Sequence, residues 1–232
     1  MLVGDVDQLP SVGAGNVLRD VIDSGVAHVT RLNRIFRQSQ KSHIVLNAHR
    51  INEGQQPITD NTSDDFYFFN IKQAQEVENM VVDIVTNRVP NKFGFDPLTQ
   101  LQVIAPMYRG PAGVDALNAA LQAKLNPSGV HIAEQTLGGR VFRKNDKVMQ
   151  TRNDYNKDFY NGDIGIVYAI DTVEEVIQVD MNGRVQNYSY RDAEENLIHA
   201  YCISTHRSQG SEYPVVVMPV IDRKSTRLNS SH

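Results

Sequence analysis

The chain has 232 residues, of which 41% are apolar and 22% are charged, and this composition is typical of one or two globular domains. Its net charge of −4 excludes a global positive field, so any binding of nucleic acid must use local basic patches. No apolar run approaches the ~20 residues of a membrane span. The first residues also lack the basic start of a signal peptide, so we expect a cytoplasmic protein that contacts no membrane.

Two short strands and a helix are predicted near the N-terminus. Leu2 and Val3 are the stub of a strand, because glycine, aspartate and proline follow in a tight exit loop. An apolar stripe predicts an amphipathic helix over residues 16–24. A strand-like segment at residues 28–36 then leads to Arg37, which lies where that strand ends.

Two longer helices are predicted between residues 42 and 88. Ser42 can cap the first, which runs through about Asn52 and ends before Gly54. Its apolar side chains are expected to point inward: Ile44, Val45, Ala48 and Ile51. Residues 66–71, FYFFNI, are predicted as a short aromatic strand or as a packing edge. The second helix covers residues 73–88 and is expected to end before Pro90. Its predicted apolar stripe consists of Val77, Met80, Val81, Ile84 and Val85.

A strand, a turn and a helix follow. Residues 101–105 form an apolar strand, and residues 114–125 form the helix. Tyr108 and Arg109 lie in the turn between them, where a phosphate could contact both the arginine and the positive end of the helix. A solvated turn arginine is an equally good interpretation.

Short alternating strands between residues 138 and 196 predict a small antiparallel β-barrel. Asn182 and Gly183 are a typical two-residue hairpin turn within it. Basic residues gather at the entrance of this segment and are expected to face a nucleic-acid backbone: Arg140, Arg143, Lys144, Lys147 and Arg152.

The C-terminal part contains a polar loop between two apolar runs. Residues 200–203 and 215–220 predict buried strands of a parallel sheet, and residues 204–214 connect them. Loops at the strand ends of such sheets are where ligands bind, although a solvated connection is the alternative. The single cysteine, Cys202, is predicted to be a buried, reduced thiol.

Three segments in the expected order resemble motifs of the RecD-like superfamily 1 DNA helicases. GDVDQLPSVGAGNVLRD at residues 4–20 resembles motif III, RLNRIFRQ at 31–38 resembles motif IV, and STHRSQGSEYP at 204–214 resembles motif V. The resemblance extends over residues 1–221. It implies an α/β protein with a partial RecA-like P-loop NTPase fold, in which a parallel sheet has flanking helices, plus an inserted SH3-like antiparallel β-barrel.

The resemblance also implies a division into domains. Residues 1–27 would be the end of a first RecA-like domain, residues 28–137 and 197–221 would form the second, and residues 138–196 would be the inserted barrel. Residues 222–232, DRKSTRLNSSH, have no apolar periodicity and resemble a translated sequencing adapter. We therefore expect these last residues to be non-native.

Site residues of the family transfer only to positions that match its motifs. Gln8 resembles the sensor of the ATP γ-phosphate, Asp5 resembles the residue that holds its loop, and Arg37 resembles the arginine that reaches the γ-phosphate. Gly210 and Glu212 resemble residues near the nucleotide. The DNA contacts implied by motif V, with the two turn residues added as candidates, are Thr205, His206, Arg207, Ser208, Gln209, Tyr108 and Arg109. Arg207 replaces the usual lysine.

The implied function is that of a fragment of an ATP-dependent DNA helicase in DNA repair or recombination. Such an enzyme uses ATP and Mg²⁺, moves 5′ to 3′ along single-stranded DNA and unwinds duplex DNA, alone or with other subunits of a recombination nuclease complex. This chain has no Gly-Lys-Ser/Thr loop, no Asp-Glu pair after a strand that could hold magnesium, and no motif VI. We therefore expect the fragment itself to be inactive and to hold no metal.

Two alternatives remain open at the level of sequence. The chain could be a non-enzymatic single-stranded DNA-binding module, or a structural subunit that has lost its motor. A Gly-Lys-Ser/Thr loop upstream in the same reading frame would favour the helicase over both.

Overall fold

The structure of the chain, a computed structural model, describes residues 1–9, 15–32, 42–155 and 158–221. They belong to two compact units, Met1–Asn70 and Ile71–His232. Within the described ranges, no helix has the length and apolar character needed to cross a bilayer.

The first unit contains helices α1 (Val17–Asp23) and α2 (His43–Asn52), and its described residues contain no strand. The strands predicted at residues 2–3 and 66–71 are therefore wrong, as is the described part, 28–32, of the strand predicted over 28–36. A strand requires a hydrogen-bonded neighbour, and no described segment of this unit supplies one. Arg37 and the rest of that segment lie outside the described residues.

Helix α2 has the predicted ends and a different buried face. The Ser42 hydroxyl accepts a hydrogen bond from the Val45 amide at 3.3 Å, and Gly54 follows the helix with a φ of +76°. The predicted inward face is wrong, because Ile44 and Ile51 are exposed, as is Ala48. The helix instead buries Asn47, whose side-chain amide pairs with the main chain of Ile58 at 2.7 and 3.0 Å.

The second unit contains the remaining elements. Its helices are α3 (Ala74–Asp83), α4 (Val89–Phe93), α5 (Val114–Leu125), α6 (Tyr190–Asn196) and α7 (Thr205–Ser208). Its strands are β1 (Leu101–Ala105), β2 (Glu134–Leu137), β3 (Arg140–Arg143), β4 (Lys147–Gln150), β5 (Ile164–Asp171), β6 (Val176–Met181), β7 (Arg184–Ser189), β8 (Leu197–His199), β9 (Cys202–Ser204) and β10 (Val215–Val217).

A π-helical stretch, Ile84–Arg88, joins α3 directly to α4. The expectation that the helix ends before Pro90 is therefore wrong, since the helical run continues to Phe93. Proline has no N–H to donate, and Pro90 lies in the first turn after the hydrogen-bonding pattern changes, where this loss is tolerated. Of the predicted apolar stripe, Val77, Val81 and Val85 are buried, and Met80 and Ile84 are partly buried. Val89, beyond the predicted helix, is buried as well.

The predicted parallel sheet is confirmed, with the strand order β10-β1-β9. The buried strand predicted over residues 215–220 is wrong in its extent and burial, because β10 ends at Val217 and its residues are partly buried or exposed at the sheet edge. Every residue of β1 is buried, as continuous apolar strands covered on both faces should be. The core on this sheet includes side chains from α3 and α5. Cys202 is a free, buried thiol as predicted, and burial raises its pKa to about 12.

The predicted antiparallel segment forms a five-stranded sheet of order β7-β6-β5-β4-β8 and a separate β2-β3 pair. Asn182 and Gly183 make the expected two-residue turn between β6 and β7, with φ values of +55° and +82°. Strands β2 and β8 lie outside residues 138–196, yet β8 pairs with β4. The domain limits given above stay predictions.

The predicted basic entrance is largely occupied by contacts within the protein. Lys147 is only 4% exposed, and its Nζ donates to the carbonyl oxygen of Leu101 at 3.0 Å, so its assignment to a nucleic-acid-facing surface is wrong. Arg143 pairs with Glu134 at 2.9 Å, and Arg140 donates to the carbonyl of Glu194. Arg152 keeps an exposed side chain, 3.9 Å from Glu195.

Candidate functional site

Two loops meet at the carboxyl edge of the parallel sheet. Strands β1 and β9 are parallel neighbours, and their last residues, Ala105 and Ser204, are register partners. The Tyr108 hydroxyl donates to Ser204 Oγ at 3.2 Å and so joins the turn after β1 to the loop after β9. Residues 106–113 and 204–214 therefore form one surface, at the edge where α/β sheets bind their ligands.

The loop after β9 contains regular local structure. It begins with the single helical turn α7, within which Ser208 Oγ donates to the carbonyl of Thr205 at 2.9 Å. Gly210 follows with a φ of +79°, a conformation that other residues adopt at a cost. The exposed residues of the loop include His206, Gln209 and Glu212, while Thr205, Arg207 and Ser208 are partly buried.

The turn after β1 exposes both of its candidate residues. Tyr108 is 48% exposed, and Arg109 is exposed as well. The predicted use of the α5 N-terminus by a phosphate is not supported, because the amides of Val114 and Asp115 donate to the carbonyls of Met107 and Tyr108 at 2.9 and 3.1 Å. The Arg109 side chain remains the positive group that this turn offers to an anion.

Asn118 of α5 fixes the strand that carries the loop. Its Nδ2 donates to the carbonyl of Cys202 at 2.8 Å, and its Oδ1 accepts from the amide of Cys202 at 2.9 Å. Strand β9 is at the edge of its sheet, so the asparagine satisfies main-chain groups that no strand pairs. In the sequence, the only sign of this role is a polar side chain within an otherwise apolar stretch of the helix.

A buried carboxylate connects α5 to the antiparallel sheet. Asp146 is fully buried, and its five hydrogen-bond donors are the side chains of Gln122, Asn126, His199 and Tyr201 and the amide of Arg143, at 2.7–3.3 Å. Burial alone would raise the pKa of Asp146, but the hydrogen bonds from His199 and Asn126 outweigh it and hold the pKa below its ordinary value. This cluster leaves no local sequence pattern, because its members come from three separate segments, residues 122–126, 143–146 and 199–201.

The candidates in the first unit form a local turn. Asp5 Oδ1 accepts from the amide of Asp7 at 3.0 Å, and Asp5 Oδ2 accepts from Gln8 Nε2 at 3.3 Å. Asp5 therefore contacts Gln8, as expected of a residue that holds that loop. Their roles at a nucleotide, like that of Arg37, stay predictions.

The described residues can be compared with the groups that ATP and magnesium each require. For ATP, the first unit offers the side-chain amide of Gln8, and the second unit separately offers the exposed Gly210 and Glu212. For magnesium, no group of three or more histidine, cysteine, aspartate or glutamate side chains in the described ranges could hold a metal ion.

Two family models match separate parts of the chain. Residues 117–181 match the SH3 domain of ATP-dependent RecD-like DNA helicases, and residues 1–67 match an AAA domain. The first match confirms the SH3-like character of the antiparallel segment, and the two together cover most of the chain's first 181 residues.

Curated relatives match along nearly the whole chain. The ATP-dependent RecD2 DNA helicase of Deinococcus radiodurans is 33% identical over 96% of the chain, which corresponds to 30% of that relative. The RecBCD enzyme subunit RecD of Mycolicibacterium smegmatis is 27% identical over 91% of the chain and 38% of its own length. The chain thus spans about a third of the length of these relatives, and the matches confirm the resemblance that its motifs indicated.

A solved structure supports the fold. Pif1 helicase from Bacteroides, in complex with ADP-AlF3 and single-stranded DNA, is 20% identical with a TM-score of 0.52, over 94% of this chain and 55% of that one. At this identity the similarity concerns the fold alone, and it agrees with a mixed α/β architecture that combines a small parallel sheet with an SH3-like antiparallel sheet.

Proposed function

We propose that this chain, which is part of a RecD-like superfamily 1 DNA helicase, belongs to an enzyme that couples ATP hydrolysis to movement along single-stranded DNA. The observation that carries the proposal is the single surface formed by residues 106–113 and 204–214, joined by the hydrogen bond from Tyr108 to Ser204. The curated relatives supply the activity, since one is named as an ATP-dependent DNA helicase and another as a subunit of the RecBCD enzyme.

In this proposal the surface holds the sugar-phosphate backbone of one DNA strand. Arg109 and Arg207 provide positive charge, and the hydroxyls of Thr205 and Ser208 and the side chains of His206 and Gln209 provide hydrogen bonds, all on two adjacent loops. Gly210 and Glu212 lie a few residues further along and would face the nucleotide. A short loop that contacts both the nucleotide and the DNA can couple the state of the nucleotide to the strength of DNA binding.

ATP supplies the free energy when it is bound and hydrolysed. Gln8, held by Asp5, would detect the γ-phosphate, and Arg37 would place its guanidinium against that group. The same proposal includes duplex unwinding and 5′ to 3′ movement, with magnesium held by residues outside this chain. It also includes a cytoplasmic location and association with other subunits of a recombination nuclease complex. The relatives named as RecBCD subunits support the last of these.

The chain alone is expected to bind single-stranded DNA without hydrolysing ATP. Anisotropy of a labelled thymidine oligonucleotide should show binding that weakens with salt. Arg109→Ala and Arg207→Ala should each weaken it equally for all base sequences and reduce the salt slope by about one. Arg191→Ala is the matched control, since Arg191 is an exposed arginine outside the two loops. Binding unchanged by both loop variants would contradict the proposed surface.

Hydrolysis has to be tested in a longer protein that carries this chain together with a Gly-Lys-Ser/Thr loop. There, Arg37→Ala should lower kcat for DNA-stimulated ATP hydrolysis by a factor on the order of 10³, because an arginine at the transferring phosphoryl group has an effect of that size. A longer protein that binds the oligonucleotide but hydrolyses no ATP would instead favour the binding-module alternative.

A further inference from the structure

The strand that leads into the 204–214 loop is held by side-chain hydrogen bonds as well as by its sheet. Strand β9 has three residues and lies at the edge of the parallel sheet, where it pairs with β1. Asn118 of α5 bonds to both main-chain groups of Cys202, at 2.8 and 2.9 Å. Thr205, the first residue of α7, follows three positions later. A displacement of Cys202 along the strand would therefore move the beginning of the loop.

The register of β9 decides where Ser204 lies. Ser204 is opposite Ala105 of β1, and its Oγ accepts from the Tyr108 hydroxyl at 3.2 Å. A slip of one residue would turn each side chain of the strand to the opposite face of the sheet, so this hydrogen bond would be lost. The apolar pattern gives little protection against such a slip, because Cys202 and Ile203 lie on opposite faces and are both buried. The side-chain bonds from α5 supply the missing specificity.

Helix α5 is a firm support for these bonds. Leu117 and Leu121 are fully buried in the core of the parallel sheet. One turn beyond Asn118, Gln122 Nε2 donates to the buried carboxylate of Asp146 at 2.7 Å, and this carboxylate belongs to the antiparallel segment. Because the helix is attached to both sheets, Asn118 holds β9 against an element that is packed independently of the loop.

We propose that Asn118 is a positioning residue for DNA binding by the surface of residues 106–113 and 204–214. Both polar groups of its side chain are engaged by Cys202, so it acts through the strand and not on the ligand. It holds β9 in the register that joins Ser204 to Tyr108, and the DNA-contacting side chains of α7 follow directly. Side chains that contact a ligand bind it well only if further hydrogen bonds hold the elements that carry them. The inference rests on the proposed function and adds to it a residue outside both loops.

Binding of the labelled thymidine oligonucleotide by the full chain tests the inference, with circular dichroism to establish that each variant is folded. Asn118→Ala should weaken binding by roughly tenfold without changing the salt slope, because it removes no contact to a phosphate. Arg207→Ala should instead reduce the slope by about one. Asn61→Ala is the matched control, since Asn61 makes the same pair of bonds to Phe68 in the first unit, at 2.9 and 2.6 Å, and its loss should leave binding unchanged. Unchanged binding by folded Asn118→Ala would overturn the inference.

A double-mutant cycle separates positioning from a general loss of stability. Tyr108→Phe removes the hydroxyl that donates to Ser204 and keeps the ring. It should weaken binding by several fold in the unsubstituted chain and hardly at all in Asn118→Ala, because the contact is already lost there. Equal factors in the two backgrounds would contradict a role through Ser204. Asn118→Asp keeps an acceptor for the Cys202 amide and loses the donor to its carbonyl, so it allows the same comparison if Asn118→Ala fails to fold.

The same assay distinguishes this inference from the proposed function. If Arg207→Ala weakens binding and Asn118→Ala does not, the proposed surface stands and the positioning role is refuted. If the unsubstituted chain binds no oligonucleotide, or if neither loop arginine contributes to binding, the proposed surface fails and the positioning role fails with it.

Discussion

Among the residues that the structure describes, three asparagine side chains pair with both main-chain groups of a residue further along the chain, as a neighbouring strand would. In each, Nδ2 donates to a main-chain carbonyl and Oδ1 accepts from the amide of the same residue. The pairs are Asn47 with Ile58, Asn61 with Phe68, and Asn118 with Cys202, at 2.6–3.0 Å. Side-chain amides can replace main-chain partners because they carry the same donor and acceptor.

Asn118→Ala should therefore destabilise the second unit. The change leaves the amide and carbonyl of Cys202 unpaired at a part-buried strand edge, and we expect the free energy of unfolding to fall by about 1–3 kcal/mol. Urea denaturation followed by circular dichroism measures this. Asn87→Ala is the control, because Asn87 makes one exposed hydrogen bond to Asp83, and its loss should cost less than about 0.5 kcal/mol. Equal losses in the two variants would contradict the role given to Asn118.

Lys147 should make stability rise with pH just above neutrality. Its pKa is near 8 in the folded state, against an ordinary 10.5, so above pH 8 the unfolded chain binds more protons and the folded state gains. We expect a gain of about 1 kcal/mol between pH 7 and 9 that is absent in Lys147→Met. The comparison stops at pH 9, because Cys202, whose pKa is raised, opposes the gain beyond it. If the free energy of unfolding, measured by urea denaturation, changes with pH in the same way in both proteins, the prediction is refuted.

The elements that the sequence predicted correctly are those whose evidence is local. The amphipathic stripe of α3, the capping serine of α2 and the turn at Asn182 and Gly183 all appear where expected. Each depends on residues that are close in the chain. The strands predicted in the first unit failed, because an apolar stretch becomes a strand only if another segment pairs with it.

The candidate site was predictable in part for the same reason. The loop at residues 204–214 could be found from its polar sequence between two apolar runs, which form β9 and β10. Its link to Tyr108, and the Asn118 bonds behind it, join segments more than 80 residues apart and leave no local pattern. Lys147 was misassigned because a lysine in a strand normally points to solvent, and only the packing of β4 against β1 shows that it does not.

The hairpin turn between β6 and β7 allows a test of the backbone strain at its glycine. Gly183 has a φ of +82°, and a Cβ there would meet no atom within 4 Å, so backbone strain alone should destabilise Gly183→Ala, by about 1 kcal/mol. Gly129→Ala is the matched control, because a Cβ at Gly129 makes only an ordinary contact, 3.5 Å from Ile132, without a positive φ. The melting temperature of each variant measures the difference, and a control that loses as much as Gly183→Ala would show that strain is not the cause.

The two units differ in how much apolar surface their described residues bury. All three clusters of buried apolar side chains belong to the second unit. In the described residues of the first, Asn47 is the one buried residue, while Leu2, Val3, Leu32 and Ile44 are among its exposed apolar side chains. Burial of apolar surface is the main favourable term in folding, so the units should differ in intrinsic stability.

Residues 71–221 produced alone should therefore fold, and residues 1–70 alone should not. The longer piece contains every cluster of buried apolar side chains, and we expect a cooperative urea transition followed by circular dichroism. The shorter piece has helices of 7 and 10 residues, which are marginal in water without a packed face, so its helical signal should decrease gradually on heating. A cooperative transition for residues 1–70 would mean that this segment forms a core of its own. Its two helices would then derive their stability from packing against each other rather than from the capping and main-chain bonds of Ser42 and Asn47.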